Sequence, residues 1–327
     1  MKTVTSPAQL IDDIGVYLSA ELAAVERHMD LVLESDTALI REVGTYVRAT
    51  HGKRIRPMLV LLAAKACGYE GGDHTKVAAA LEMIHTATLL HDDVIDRAPV
   101  RRGRPTVNAR WGDDVAILIA DFLYSHAFKL AMQVLSPAVL SMVCDVAAKM
   151  CEGEMFQIEK RDCWLTRDDY LRIVRNKTAY LFSACTGLAG ILAKAHEADT
   201  ASFTQFGLNF GIAFQITDDT LDLVAQDADL GKQHGTDVRN GKQTLPIIHT
   251  FESASEADKQ AFSSHWNNGR ELGPIMTLIR KYHGVEIALG EARKYADAAK
   301  QHLEFLKPSK AAEFCWQLSD YVVQRGS

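Results

Sequence analysis

Cysteine pairs, prolines and strand-like alternation are scarce or missing in this chain, and each shortage narrows the choices. The six cysteines, at 67, 144, 151, 163, 185 and 315, are scattered and form no CxxC pair. That argues against a zinc site or a disulfide framework and for small buried hydrophobes in a reducing compartment. Eight prolines in 327 residues leave long stretches without a helix breaker. Neither period-two alternation nor a hairpin dipeptide between β-rich runs is found. Positive charge is in slight deficit, 36 Lys and Arg against 42 Asp and Glu for a net −6, so a positively coated nucleic-acid binder is not expected. Residues 1–10 carry Lys2 but no apolar stretch after it, so no secretory signal is visible. The longest uncharged apolar stretch, between Lys177 and Lys194, is shorter than the roughly 20 residues a membrane span needs. It reads as a buried core helix. These points lead to the expectation of a cytoplasmic protein, with room for a peripheral membrane contact.

What is present is helical spacing. Val77, Leu81, Ile84 and Thr88 recur at three- and four-residue steps, and residues 115–135, 139–158, 203–223 and 287–306 repeat the pattern. Breaks fall at Gly68–Asp73, Ala98–Thr106 and Ala225–Gly241, none resembling an interdomain linker. Apolar residues at 47% and charged residues at 24% match soluble globular averages. The expectation is an all-α bundle of ten or more helices, one domain over residues 1–327. The end of the chain, from Lys307, reads as one more helix without obvious chemistry. The long third break has the character of a functional loop.

Two helix ends carry D-D-x-x-D: Asp92, Asp93 and Asp96, then Asp218, Asp219 and Asp222. A spacing of four puts two carboxylates on one helix face. Like charges there cost a few tenths of a kcal/mol, and the macrodipole disfavours anions at a helix C-terminus. A divalent cation would compensate. Carboxylates without His or Cys suit Mg²⁺ or Mn²⁺ rather than zinc. Because Mg²⁺ takes one or two carboxylates and fills its shell with water and phosphate, six aspartates point to metals shared with a phosphorylated substrate.

Basic clusters alternate with the acidic ones. Lys53 and Arg56 flank the start of a helix with Pro57 in its first turn, a favourable anion site. Arg101, Arg102 and Arg104 follow the first acidic motif, and guanidinium forks suit phosphate. Lys177 beside Thr178, with Lys232 and Lys242 around the second acidic motif, forms a third cluster. His85 lies two turns before Asp92 on the same face. His91 should point away from Asp92. Gln215, three residues before Asp218, is placed to donate to phosphate. Two anions bound in different ways suggest a two-substrate reaction of diphosphates.

At these residues the chain resembles the trans-polyprenyl diphosphate synthases. The resemblance rests on Gly52-Lys53-Arg54-Ile55-Arg56-Pro57, Asp92 to Asp96 followed by Arg101-Arg102-Gly103, Phe214 to Asp222, Gly231 to Asp237, and Gly241 to Pro246. It departs at Gln233, where many relatives have Pro, and at Val224-Ala225. The resemblance implies a helical fold around a central cavity, a homodimer and three Mg²⁺ ions. It implies that Asp92, Asp96 and Asp218 coordinate Mg²⁺ on the allylic diphosphate, with Asp93, Asp219 and Asp222 supporting. Arg101, Lys177, Lys232 and Lys242, with Thr178 and Gln215, would contact that diphosphate. Lys53, Arg56, His85 and Arg102 would bind isopentenyl diphosphate. Ionisation of the allylic C–O bond, attack by the isopentenyl double bond and proton loss to diphosphate would follow in a dry cavity.

Ala87 and Thr88, one turn before Asp92, are small where aromatic residues in the resembling family stop chain growth early. The expectation is a long product of the octaprenyl class, serving as a quinone side chain, through a tunnel toward Met83 and Ile84. Phe128 or Phe156 deeper down is the competing limit. A shorter-chain farnesyl or geranylgeranyl synthase and a non-catalytic prenyl-diphosphate-binding subunit are the alternatives. A terpene cyclase leaves Lys53, Arg56 and Arg102 without a purpose, and an HD-type hydrolase built on His91-Asp92 explains neither the second acidic motif nor G-K-R-I-R-P.

Overall fold

The computed structural model describes residues 7–31, 34–50, 52–224 and 235–324. Helix follows helix from Pro7–Tyr17 to Lys310–Gln324. The expected long segments appear as Asp73–Ile95, Asp113–Met132, Pro137–Glu159, Glu197–Val224 and Gly284–Gln301. Their starts follow local chemistry. Ser136 caps the third by accepting from the Val139 N–H, with Pro137 in the first turn. Thr166 and Asp169 cap the shorter helix Arg167–Val174 reciprocally.

The apolar stretch before Lys194 is a core helix, as expected. In Tyr180–Leu192 every residue from Leu181 to Gly190 is buried, the mark of a helix enclosed on all sides. It packs against Ile55–Ala66 and Glu197–Val224. Gly211 makes the second contact close: a Cβ there would lie 2.6 Å from Ala179 Cα. That approach sets Lys177 and Thr178 beside the end of the helix that carries the second acidic motif.

Two features differ from the sequence reading. Val100–Arg101 pairs antiparallel with Arg104–Pro105, a two-residue ribbon inside the expected loop. Its turn residues, Arg102 (φ 52°) and Gly103 (φ 74°), are left-handed, the pattern of tight hairpins. The ribbon escaped notice because it has no β-rich flanks. The second is Asp113–Met132, which by length and composition alone is long and apolar enough to cross a bilayer. Ala116, Ile119, Ala120, Leu123, Ala127, Leu130 and Ala131 bury its inner face against Asp73–Ile95. Its outer face leaves Ile117 and Leu118 exposed.

Candidate active site

The C-terminal ends of Asp73–Ile95 and Glu197–Val224 and the start of Ile55–Ala66 open onto one cavity of about 1940 Å³. All six motif aspartates line it, so the two acidic stretches share a site. Among the described residues, no group of three carboxylates, histidines or cysteines forms a ready-made metal shell. Lysines hold the outer carboxylates instead. Lys242 Nζ donates to Asp96 Oδ2 at 2.8 Å. Lys177 Nζ lies 3.5 Å from Asp92 Oδ1 and pairs with Glu154. Burial opposes the Lys177 charge, yet Asp92 and Glu154 hold its ammonium above the usual range.

The remaining carboxylates of each motif are tied down from behind. Asp93 is buried, and both its oxygens accept from Arg101 Nε, at 2.8 and 3.0 Å. Burial pushes its carboxyl up while Arg101 pulls it down. Asp219 accepts from Tyr170 Oη and Gln215 Nε2, both at 2.6 Å, and Thr178 donates to Gln215 Oε1 at 2.9 Å. Burial, with Asp237 and Asp218 nearby, pushes the Asp219 carboxyl up. Asp222 Oδ2 accepts from the Asp237 N–H at 2.9 Å. Asp218 is exposed to the cavity. Hence Arg101 and Gln215, expected to face a diphosphate, spend hydrogen bonds on aspartates in this structure.

Lys177 is aimed by an irregularity. Residues Arg175–Ala179 form one widened π-helical turn, a feature frequent at functional sites. Gly153 accommodates it, since a Cβ there would sit 2.9 Å from the Lys177 backbone nitrogen.

The basic cluster at 53–56 splits by direction. Arg54 is left-handed (φ 54°) and turns inward to Glu26 and Glu82, at 2.7 and 2.8 Å. Lys53 and Arg56 line the cavity. Lys53 Nζ bonds Tyr321 Oη at 3.2 Å, so the last helix reaches the cavity wall. Arg56 stacks 4.5 Å over the Phe182 ring, and its buried Nε has no hydrogen-bond partner among the described residues, a donor awaiting an acceptor. Arg102 Nη1 donates to the Thr50 carbonyl at 2.9 Å. Lys232 lies outside the described residues.

His85 lies half-buried on the cavity wall. Burial and the positive field of Arg56, Arg102, Arg101 and Arg54 hold its imidazole well below the ordinary value. Below about pH 6.5 an unfolded histidine takes up a proton that the folded site refuses, so stability declines as pH falls. The melting temperature of the substrate-free protein should therefore drop between pH 6.5 and 5, and His85→Gln should lessen the drop. An equal slope in the variant would show that His85 is not the group responsible.

The apolar part of the cavity is lined by Thr88, Met83, Leu123 and Met150. Ala87 and Ile84 are fully buried and lie outside this lining. Phe128 and Phe156, the deeper candidates, do not line it either. Phe128 stacks on Tyr124, and Phe156 sits under Arg172. His91 lies 3.6 Å from Asp121 and shares the cavity lining with Asp92.

The donor set is all oxygen and partly open to the cavity, which fits a hard divalent cation that completes its shell with phosphate oxygens. Sequence reasoning missed Glu154, Tyr170 and Tyr321. Glu154 shares its helix with Asp145, Glu152 and Glu159, so its sequence setting did not single it out either.

Comparisons with known proteins agree with this geometry. Residues 37–275 match the Polyprenyl synthetase family. The octaprenyl diphosphate synthase of Escherichia coli is 36% identical over 319 residues, 96% of this chain and 99% of that protein. A short chain isoprenyl diphosphate synthase of Methanothermobacter thermautotrophicus is 34% identical over 311 residues, 92% of this chain and 95% of its own length. The crystal structure of a Caulobacter crescentus polyprenyl synthase, complexed with calcium and isoprenyl diphosphate, superposes with a TM-score of 0.91 at 32% identity, covering 97% of this chain and 98% of that one. With two aspartate motifs and a separate arginine–lysine wall on one cavity, this chain belongs to the polyprenyl synthetase family of trans-prenyl diphosphate synthases and is a prenyltransferase.

Proposed function

We propose that this enzyme condenses isopentenyl diphosphate with an allylic diphosphate, with Mg²⁺ as its metal, to make a long all-trans polyprenyl diphosphate of the octaprenyl class for a quinone side chain. The observation that carries the reading is the division of one cavity between two kinds of anion holder. Asp92, Asp96 and Asp218 with Lys177 and Lys242 form one; Lys53, Arg56, His85 and Arg102 form the other.

Three Mg²⁺ ions, for which Mn²⁺ can substitute, would be held by Asp92, Asp96 and Asp218 and would neutralise charge on the leaving diphosphate. Lys177 and Lys242, now on Asp92 and Asp96, would transfer their donors to the same diphosphate. Asp93, Asp219 and Asp222 keep the outer carboxylates and their neighbours aligned. Arg56, with its unpartnered Nε, and neutral His85 orient the isopentenyl diphosphate so that its double bond faces the ionising carbon. The apolar wall of Thr88, Leu123 and Met150 keeps water from the allylic cation. The departing diphosphate accepts the last proton.

We read residues 1–327 as one functional unit acting in the cytoplasm, a reading that the six free thiols support. A homodimer is supported by the apolar outer faces of Asp113–Met132 and Pro137–Glu159, where Ile117, Leu118, Met132 and Met155 are exposed. A peripheral membrane contact would serve product release. The shorter-chain alternative keeps its place because the relatives' names differ in chain length. A non-catalytic subunit is disfavoured by the intact acidic motifs.

The test is incubation with isopentenyl and farnesyl diphosphates plus Mg²⁺, followed by product chromatography. Products near forty carbons are expected, and chelation with EDTA should abolish them. Products of fifteen or twenty carbons would replace the long-chain reading, and no elongation would overturn the catalytic one.

A further inference from the structure

We infer that Gln243 is a positioning residue for Lys242, an amide clasp that fixes the cationic loop to the wall of the cavity. The inference rests on the two-diphosphate reading above and goes beyond it to a cavity-wall residue whose amide is spent on the protein backbone. Gln243 uses both ends of its amide. Its Oε1 accepts from the Leu165 N–H at 2.8 Å, and its Nε2 donates to the Cys163 carbonyl at 2.8 Å. One side chain thus bridges two backbone groups, a pair that a shorter or apolar residue does not reproduce.

The receiving segment is anchored by aromatic and apolar packing. Trp164, between the two bonded residues, stacks on Phe251 at 4.1 Å with a 6° tilt, and meets Phe262 edge-on at 5.9 Å. Leu165 packs against the cluster of Tyr170, Leu171 and Ile216. The clasp therefore joins the loop to two hydrophobic clusters at once.

The loop needs such a joint. Gly235 and Gly241 are left-handed, with φ 71° and 73°, and between them lies a single short turn, Thr236–Arg239. Lys242 leaves this bend with its N–H on the Asp237 carbonyl and its ammonium on Asp96. After it, Thr244 begins the helix Leu245–Ser253. Gln243 is the residue between the cation and that helix, and its clasp sets the direction in which Lys242 departs. Without it, the long lysine side chain and its loop would have to be ordered each time a diphosphate binds.

The test compares wild type with Gln243→Met, which keeps length and loses both hydrogen bonds. KM for the allylic diphosphate should rise roughly tenfold, the lower scale for loss of a supporting partner. KM for isopentenyl diphosphate should stay nearly unchanged, and the melting temperature should fall by no more than a few degrees. Amide hydrogen exchange over residues 241–244 should quicken in the substrate-free variant. In a Lys242→Ala background, Gln243→Met should add little, because the residue it positions is gone. An unchanged allylic KM, an equal rise in both KM values, or full additivity in the double variant would overturn the assignment. If the wild type fails to elongate at all, the proposed function falls, while the exchange measurement still decides whether the clasp holds the loop.

Discussion

Asp92→Asn is expected to lower kcat by about a hundred- to a thousandfold, the scale reached when one preorganised electrostatic contact is lost. The carboxylate stands at the end of its helix, with Lys177 at 3.5 Å. Removing its charge takes away a metal ligand. It also leaves Glu154 as the remaining carboxylate partner of the Lys177 ammonium, so the cation that should meet the diphosphate loses one of the two charges that aim it. Folding should change little: Asp92 and Asp96 repel each other at a spacing of four and their helix end disfavours anions, so neutralising one returns a few tenths of a kcal/mol, against the lost pairing with Lys177. Asp93→Asn is the instructive contrast. Asp93 is buried under Arg101, and its loss should act through that arginine, with a smaller fall of about ten- to a hundredfold and a lower melting temperature. Steady-state rates with melting curves decide the matter. Should Asp92→Asn retain near wild-type kcat, or Asp93→Asn prove the more damaging in rate, the division into outer ligands and inner supports would be wrong.

How much of this could be read beforehand varies with the range of the interaction. The aspartate motifs were legible because a spacing of four fixes the face of a helix whatever surrounds it. The core role of residues 181–190 was legible because an uncharged, mostly apolar helix has nowhere else to go. The split between Arg54 and its neighbours was not. Lys53, Arg54 and Arg56 look alike as letters, and only the left-handed backbone at Arg54 sends that guanidinium to Glu26 and Glu82. Tyr170 and Tyr321 were hidden more deeply. Their hydroxyls matter because helices remote in sequence bring Asp219 and Lys53 to them, and no local pattern records that. Gln215 shows the opposite error. Its place on the acidic face was read correctly, but the side chain serves Asp219 and Thr178 in this structure. The four-residue rule gives a face; it does not say which of the groups on that face will pair.

Thr88→Phe is expected to cut the product from the long-chain class to about the farnesyl class. Thr88 lies four residues before Asp92, about 6 Å nearer the start of the helix at 1.5 Å per residue, and it lines the cavity. Met83, which also lines it, is about 13 Å from Asp92 on the same measure. An aromatic ring at 88 would close the cavity less than halfway to that depth and leave the growing chain against a wall. Ala87→Phe should behave differently. Ala87 is fully buried and outside the cavity lining, so a ring there overpacks the core and should cost about 1–3 kcal/mol of stability. Leu123→Ala removes bulk from the part of the lining given by the neighbouring helix Asp113–Met132 and should lengthen the product if that wall sets the limit. Chromatography of the three variants' products, beside their melting temperatures, separates a gate from a packing residue. Unchanged length in Thr88→Phe together with longer chains in Leu123→Ala would move the limit to the Asp113–Met132 helix, because a chain that passes a ring at 88 cannot be measured by the helix that carries it.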